Sequence, residues 1–298
     1  MAAVPIVDAH HHIWRQADLP WLQGPTLPRI FGDYDAIKRD YPIEEYLADI
    51  AGAGVVRSVY VQPNWPKDRA VDEVRWVQSI AERHGFPHAI VGFADLTDDG
   101  AAATLEAQSA FPLMRGIRQQ IHWHANPQYR FADRPDIPDD PTFRRNLARL
   151  QDYGWLFELQ IFAAQMAAGA RLAASLPGLV LVLEHAGMPE DRSVDGRRRW
   201  REGLRRLADH PNVHTKLSGL GTFIRRNDPA HIAEVVAETV ELFGAERCVW
   251  GSNFPVEKIW TDCSSILDAF NAAISHLPKS QQRAILHDNA VQLYGLGQ

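Results

Sequence analysis

The octet "VDAHHHIW" (Val7–Trp14) sets three consecutive histidines behind an aspartate near the start of the chain. On an extended segment residues two apart share a side, so His10 and His12 face one point while His11 turns away. Two imidazoles aimed together suit a metal ion or a proton-transfer site, and a hydrogen-bonded structural pair is the bland alternative. A third imidazole, His185, closes the apolar run "LVLVLEH" (Leu179–His185), and Glu184 beside it should face the opposite way if that strand stays regular. Other apolar runs also end in polar residues: Gln62 and Asn64 in "VQPNW", Arg118 and Gln120 in "GIRQQIHWH", Glu158 and Gln160 in "FELQIF", Lys216 and Ser218 in "TKLSG", and Asn253 in "GSNFP". Strands whose polarity rises toward one end are expected where they converge on a wet pocket. His122 and His124 form a second His-x-His pair, read as substrate-loop residues. Trp14, Trp21, Trp65 and Trp123 are placed to stack on a ring or to anchor loops.

Eight β-rich runs must position these side chains: Pro5–His10, Val55–Gln62, His88–Leu96, Met114–Ile121, Trp155–Phe162, Leu179–His185, Val213–Gly219 and Arg247–Ser252. Several are continuously apolar, as parallel strands covered on both faces are. Amphipathic helical patterns fall between them, among them Ile43–Gly54, Val71–Gly85, Thr142–Tyr153, Ala163–Ser175, Asp195–His210, Ala230–Phe243 and Thr261–His276. The alternation predicts an α/β fold, a (β/α)8 TIM barrel in one domain spanning residues 1–298, with a doubly wound open sheet as the competing topology. The longest irregular stretches, Ile13–Tyr41 and His122–Pro141, follow the first and fourth strands and would lie over the C-terminal mouth.

The chain has 298 residues, a formal net charge of −6 and two cysteines, which argues against a disulfide framework or a cysteine-rich zinc site. Its one basic run, "GRRRWREGLRR", reads as a solvated helix face, so nucleic acid is not an expected partner. No apolar run is long enough to span a membrane, and "MAAVPIVDAH" lacks the plan of a signal peptide, so the cytoplasm is the expected location. GxSxG, P-loop and HExxH motifs are absent, and "GLGTF" reads as a turn. A small polar molecule with a carbonyl is the expected partner, with a homo-oligomer possible.

Together these motifs resemble the amidohydrolase superfamily, in its amidohydrolase-2 branch of TIM-barrel hydrolases that includes sugar-acid lactonases and 2-pyrone-4,6-dicarboxylate lactonase. The resemblance runs from "VDAHHHIW" through "RGIRQQ", "LEHAGMP", "VHTKLSGL" and "GSNFP" to "DNAVQLYGL". It implies that His10, His12 and His185 hold one divalent, zinc-like ion or act as bases without it. It also implies that Arg118 grips a substrate carboxylate or carbonyl oxygen, with Lys216, Gln62, Trp65, Gln120, His122 and His124 around the substrate. The implied reaction is opening of a lactone, or of another carboxylic ester or amide, by an activated water. Two departures stand out. Asn253 occupies the place where the resemblance leads one to expect an aspartate, and an amide cannot serve as a general base near neutral pH. Strand four has no lysine to bridge two metals, leaving Glu158 as a candidate carboxylate ligand. A decarboxylase- or hydratase-type lyase and a catalytically impaired binding barrel stay open as alternatives.

Overall fold

In the computed structural model, which describes residues 4–297, eight parallel strands run in the order of the sequence. They are β1 (Ile6–His11), β2 (Val55–Val61), β3 (Ala89–Gly92), β4 (Met114–Gln120), β5 (Leu156–Gln160), β6 (Leu181–Leu183), β7 (Val213–Leu217) and β8 (Cys248–Trp250). Closure comes from the segment just past β8. Asn253 N donates to the His10 carbonyl at 2.7 Å, and His12 N donates to the Phe254 carbonyl at 2.8 Å. The architecture is therefore the single-domain (β/α)8 barrel.

Strands β6 and β8 are shorter than their apolar runs suggest, because the chain leaves regular pairing as soon as its polar residues reach the mouth. Helices α1 (Ile43–Asp49), α2 (Ala70–His84), α3 (Ala101–Ser109), α4 (Pro141–Ala148), α5 (Met166–Ser175), α6 (Val194–Ala208), α7 (Pro229–Phe243) and α8 (Cys263–Ile274) wrap the outside. α3 had no counterpart among the predicted helices. Its alanine-rich "AAATLEAQS" buries only Ala101, Leu105 and Gln108, too narrow a stripe to read as amphipathic.

The main core lies between helices and barrel, while a second cluster joins Val7, Val59, Val91, Leu156, Val182 and Val249 to Tyr294. Coming from strands all round the sheet, the second cluster fills the barrel's interior. Tyr294 reaches it from the end of α10 (Asn289–Leu293), which follows α9 (Lys279–Arg283), so the C-terminal segment plugs the barrel floor. The arginines of α6 are answered by α7: Arg201 lies 2.7 Å from Glu241 and 3.2 Å from Glu238, and Arg197 pairs with Glu234 and Glu238. Among the described residues no helix is long and apolar enough to cross a membrane.

Candidate active site

The β1 histidines separate as the strand period requires. His11 stacks on Tyr46 of α1, rings 3.8 Å apart and 12° from parallel, outside the barrel. His10 and His12 turn to the other side, their ring centroids 5.0 Å apart, and His185 lies 4.7 Å from His10. β1 is held at this end by Asp8, which accepts from His10 N (3.1 Å), Ser252 N (2.8 Å), Ser252 Oγ (2.6 Å) and Tyr46 OH (2.9 Å). Asp8 thus staples β1 to the segment after β8, a role the sequence reading did not give it.

Hydrogen bonds decide which ring nitrogens are free. His12 Nδ1 is 2.6 Å from the Val61 carbonyl, which can only accept, so the proton sits on Nδ1 and Nε2 carries the lone pair. His185 Nδ1 is engaged by Ser218 Oγ at 2.9 Å, leaving its Nε2. His10 Nε2 is buried with no hydrogen-bond partner, and Nδ1 lies 3.4 Å from both Glu184 Oε1 and Lys216 Nζ. Burial, reinforced by nearby cations, pushes the His10 and His12 imidazoles far below their usual range and His185 to about 3. All three rings are therefore neutral at physiological pH and able to ligate.

Glu184 overturns the expectation that it faces away from His185. The strand ends at Leu183, and the next residues take left-handed backbone angles, with φ 55° at His185, 51° at Ala186, 70° at Gly187 and 51° at Met188. Alternation fails there, and both side chains turn inward. His10, Glu184 and His185 bring ligand atoms within 4.8 Å of one another, the donor set a divalent ion takes. The orphaned His10 Nε2 fits the same reading. His12 stands beside this group, one ring away.

Glu158, the carboxylate expected as a possible ligand, is engaged elsewhere. Both its oxygens are 2.6 Å from Lys216 Nζ, and Oε1 accepts from Tyr294 OH at 2.9 Å. Burial pushes the Glu158 carboxyl up and the Lys216 ammonium down, while their mutual attraction opposes both shifts. Lys216 is sealed beneath His10 and does not line the cavity, a correction to its placement against substrate. Arg118 spans the two levels. Its Nη1 lies 3.2 Å from Glu184 Oε2, its Nη2 donates to the Gln62 carbonyl, and its buried Nε has no partner.

A cavity of about 940 Å³, mouth included, opens above this centre. His12, Arg118, Gln120, His122, Gln160, His185 and Asn253 line its floor, with Trp14, Trp21, Tyr129 and Phe223 among its walls. Gln62 is buried below the lining, where its side chain donates to the Arg118 carbonyl at 3.1 Å and accepts from Asn64 N at 2.7 Å. Trp65 lies outside the lining, packed on Trp76 with the Arg69 guanidinium 4.8 Å above its ring, so it anchors a loop. His124 and Trp123 also fall outside the lining: His124 packs on Phe162 and Tyr129, and Trp123 lies under Arg130. His122 does line the cavity, its imidazole pushed to about 3 by burial, with Arg118 adding to the shift.

Asn253 sits at φ 57°, a conformation asparagine tolerates better than most side chains. Nearby, Glu257 is buried, accepts from Trp260 Nε1 at 2.9 Å, and is pushed up to about 7 by desolvation. Tyr294 and Glu257 had escaped the sequence reading. The only signals they offered were the closing "LYGL" and one carboxylate after "NFP".

Known proteins match this architecture along the whole chain. An uncharacterized protein of Sinorhizobium fredii is 33% identical over 99% of both chains. An L-fucono-1,5-lactonase of Burkholderia ambifaria is 31% identical over 85% of this chain and 81% of its own. The crystal structure of an amidohydrolase from Burkholderia multivorans with bound zinc superposes with a TM-score of 0.83 at 26% identity, covering 98% of this chain and 100% of that one. The sequence model of the amidohydrolase family matches residues 7–296, so the chain belongs to that family and is a hydrolase.

Proposed function

We propose that this enzyme opens the ring of a small hydroxylated lactone by adding water to its carbonyl. The observation that carries the reading is the unspent hydrogen-bonding capacity of the floor. Arg118 Nε, Gln120 Oε1 and His122 Nδ1 are buried without partners beside the three neutral imidazoles. Unsatisfied buried polar atoms cost free energy until a ligand meets them. Donors and acceptors in that proportion suit a ring carrying hydroxyls and an ester carbonyl. The lactonase relative, 31% identical, supports the same substrate class.

His10, His185 and Glu184 would hold the metal ion, with His12 beside it. Bound there, a zinc-like ion would supply Lewis acidity, polarising the carbonyl and lowering the pKa of water to about 7. The chain's own groups do the rest. Arg118 Nε–H donates to the carbonyl oxygen as negative charge grows on it. Gln120 and His122 hold the ring hydroxyls, and Gln120 is itself oriented by donating to Gln160 Oε1 at 3.0 Å. Asn253 orients water but takes no proton. Glu184 is the one carboxylate among these groups: it receives the proton of the attacking water and returns it to the ring oxygen as the acyl C–O bond breaks, so that the product leaves as a hydroxy acid.

A panel of aldonic acid lactones, simple esters and aromatic acids, followed by mass, tests the proposal. Gain of one water by a lactone is expected, with activity lost on chelation and restored by zinc. Loss of carbon dioxide from an aromatic acid would replace the reading with a lyase, and full activity after exhaustive chelation would remove the ion.

A further inference from the structure

The two long loops over the mouth carry eight aspartates, at positions 18, 33, 35, 40, 133, 136, 139 and 140. None lines the cavity, and no glutamate does either. Several are engaged by arginines outside the lining. Asp18 meets Arg15 and Arg69, Asp139 meets Arg144 and Arg171, and Asp136 and Asp140 share Arg134. The same loops send Arg29 and Arg130 into the lining instead.

Both guanidiniums sit over tryptophan rings. Arg29 lies 5.5 Å from the centroid of the Trp21 ring and Arg130 lies 5.0 Å from that of Trp123. Arg130 Nε and Nη2 donate to the His124 and Ala125 carbonyls at 3.0 and 3.2 Å. Gln128 Nε2 donates to the Arg29 carbonyl at 3.2 Å, tying one loop to the other across the mouth. Among the described residues neither guanidinium has a carboxylate partner, although most arginines of these loops do. The same lining carries the aromatic rings of Phe31, Tyr129 and Phe223, which thin the water around an anion held there.

We propose that Arg29 and Arg130 form a carboxylate subsite at the mouth, so that the substrate is a lactone retaining a second carboxylate away from its ring carbonyl, the lactone of a hydroxylated diacid. This deepens the lactone-opening reading and rests on it. Two positive charges in the lining without an acidic partner attract a carboxylate, and guanidinium N–H groups not already spent on the backbone can donate to it. The centre hydrolyses the ester carbonyl while the mouth holds the free acid in place.

The test compares D-glucaro-1,4-lactone with D-glucono-1,4-lactone, which differ by a carboxylate in place of a hydroxymethyl group. The zinc-loaded enzyme should show a kcat/KM about tenfold to a hundredfold higher for the first, the range of a charge-assisted hydrogen bond. That ratio should collapse toward one in Arg29→Gln and Arg130→Gln. If either variant fails to fold, salt gives the second measurement: the preference of the unmodified enzyme should shrink steadily from low to high ionic strength. A parallel calorimetric titration with glucarate and gluconate separates the two ideas. Equal turnover of both lactones would overturn the subsite and leave lactone opening standing. Tighter binding of glucarate, lost in the arginine variants, with no lactone hydrolysed, would keep the subsite and overturn the reaction. No preference in turnover or in binding would overturn the inference.

Discussion

Lys216→Met offers the sharpest test of how the barrel interior is built. Lys216 and Glu158 are both fully buried, the ammonium 2.6 Å from each carboxylate oxygen. Removing one member of such a pair strands the other and costs about 3–5 kcal/mol. The lower end applies to Lys216→Met, because Tyr294 OH still donates to Glu158 and the carboxyl can relieve itself by binding a proton. Glu158→Gln strands the ammonium and should cost a similar amount. The double variant replaces both charges with groups of similar shape and should fall within about 1 kcal/mol of the starting protein. Urea unfolding followed by tryptophan fluorescence measures all four corners of the cycle. If Lys216→Met alone costs less than about 1 kcal/mol, or if the two single costs simply add, the pair is not the closed unit the distances describe.

Three further outcomes are expected. Glu184→Gln should lower kcat by about 10²- to 10⁴-fold, the usual loss when a positioned proton acceptor is removed, while unfolding midpoints show whether Arg118 is left unpaired; near-normal kcat would remove Glu184 from the chemistry. Gly219→Ala places a methyl 2.7 Å from His185 Nδ1 at a residue with φ 61°, so it should cost about 1 kcal/mol in stability and, by displacing that ring, up to about a hundredfold in kcat/KM; unchanged kinetics would mean the His185 position is uncritical. Glu73 is buried with Tyr60 OH donating to Oε1 at 2.8 Å, and burial pushes its carboxyl to about 8. The folded state therefore keeps a proton that the unfolded chain releases near its ordinary value of 4.5, so stability drains away as pH rises from there toward 8. Glu73→Gln removes that slope, matching the parent near pH 5 and exceeding it by several kcal/mol near pH 8 in urea unfolding; parallel pH profiles would refute the assignment.

The barrel was legible because its signals are periodic. Continuous apolar runs mark strands covered on both faces, and the two-residue repeat placed His10 and His12 together with His11 outside. What periodicity could not show is depth. Lys216, Glu158 and Gln62 look like Arg118 and Gln120 in sequence, each a polar residue near a strand end. The structure lowers the first three beneath the floor and leaves the last two on it. Nor could alternation foretell Glu184, since it holds only while the strand is regular and the chain departs from extended angles right after Leu183. Tyr294 was hidden by distance, closing a contact with Glu158 across 136 residues. Trp65 was misplaced because a loop tryptophan offers the same surface to a substrate or to a neighbouring helix, and Trp76 of α2 claims it.

Charge counting under the cavity gives the asparagine at 253 a physical place. Lys216 and Arg118 supply two cations, Glu158 and Glu184 two anions, and all four are buried and linked through short contacts. In a dry interior such a set is tolerable only while it stays balanced. A third carboxylate at position 253 would lack a cation of its own within the chain, whereas an amide adds hydrogen-bonding capacity without charge. The same dryness keeps the imidazoles neutral, so their lone pairs stand ready while the nearby ion pairs hold their rings in place. Compensation stops at the mouth, where Arg29 and Arg130 face the cavity without acidic partners. A site whose own charges are balanced at its base and left cationic at its entrance draws in an anion and holds it at the mouth, away from the reacting end, which is the polarity required by a substrate that is acid at one end and ester at the other.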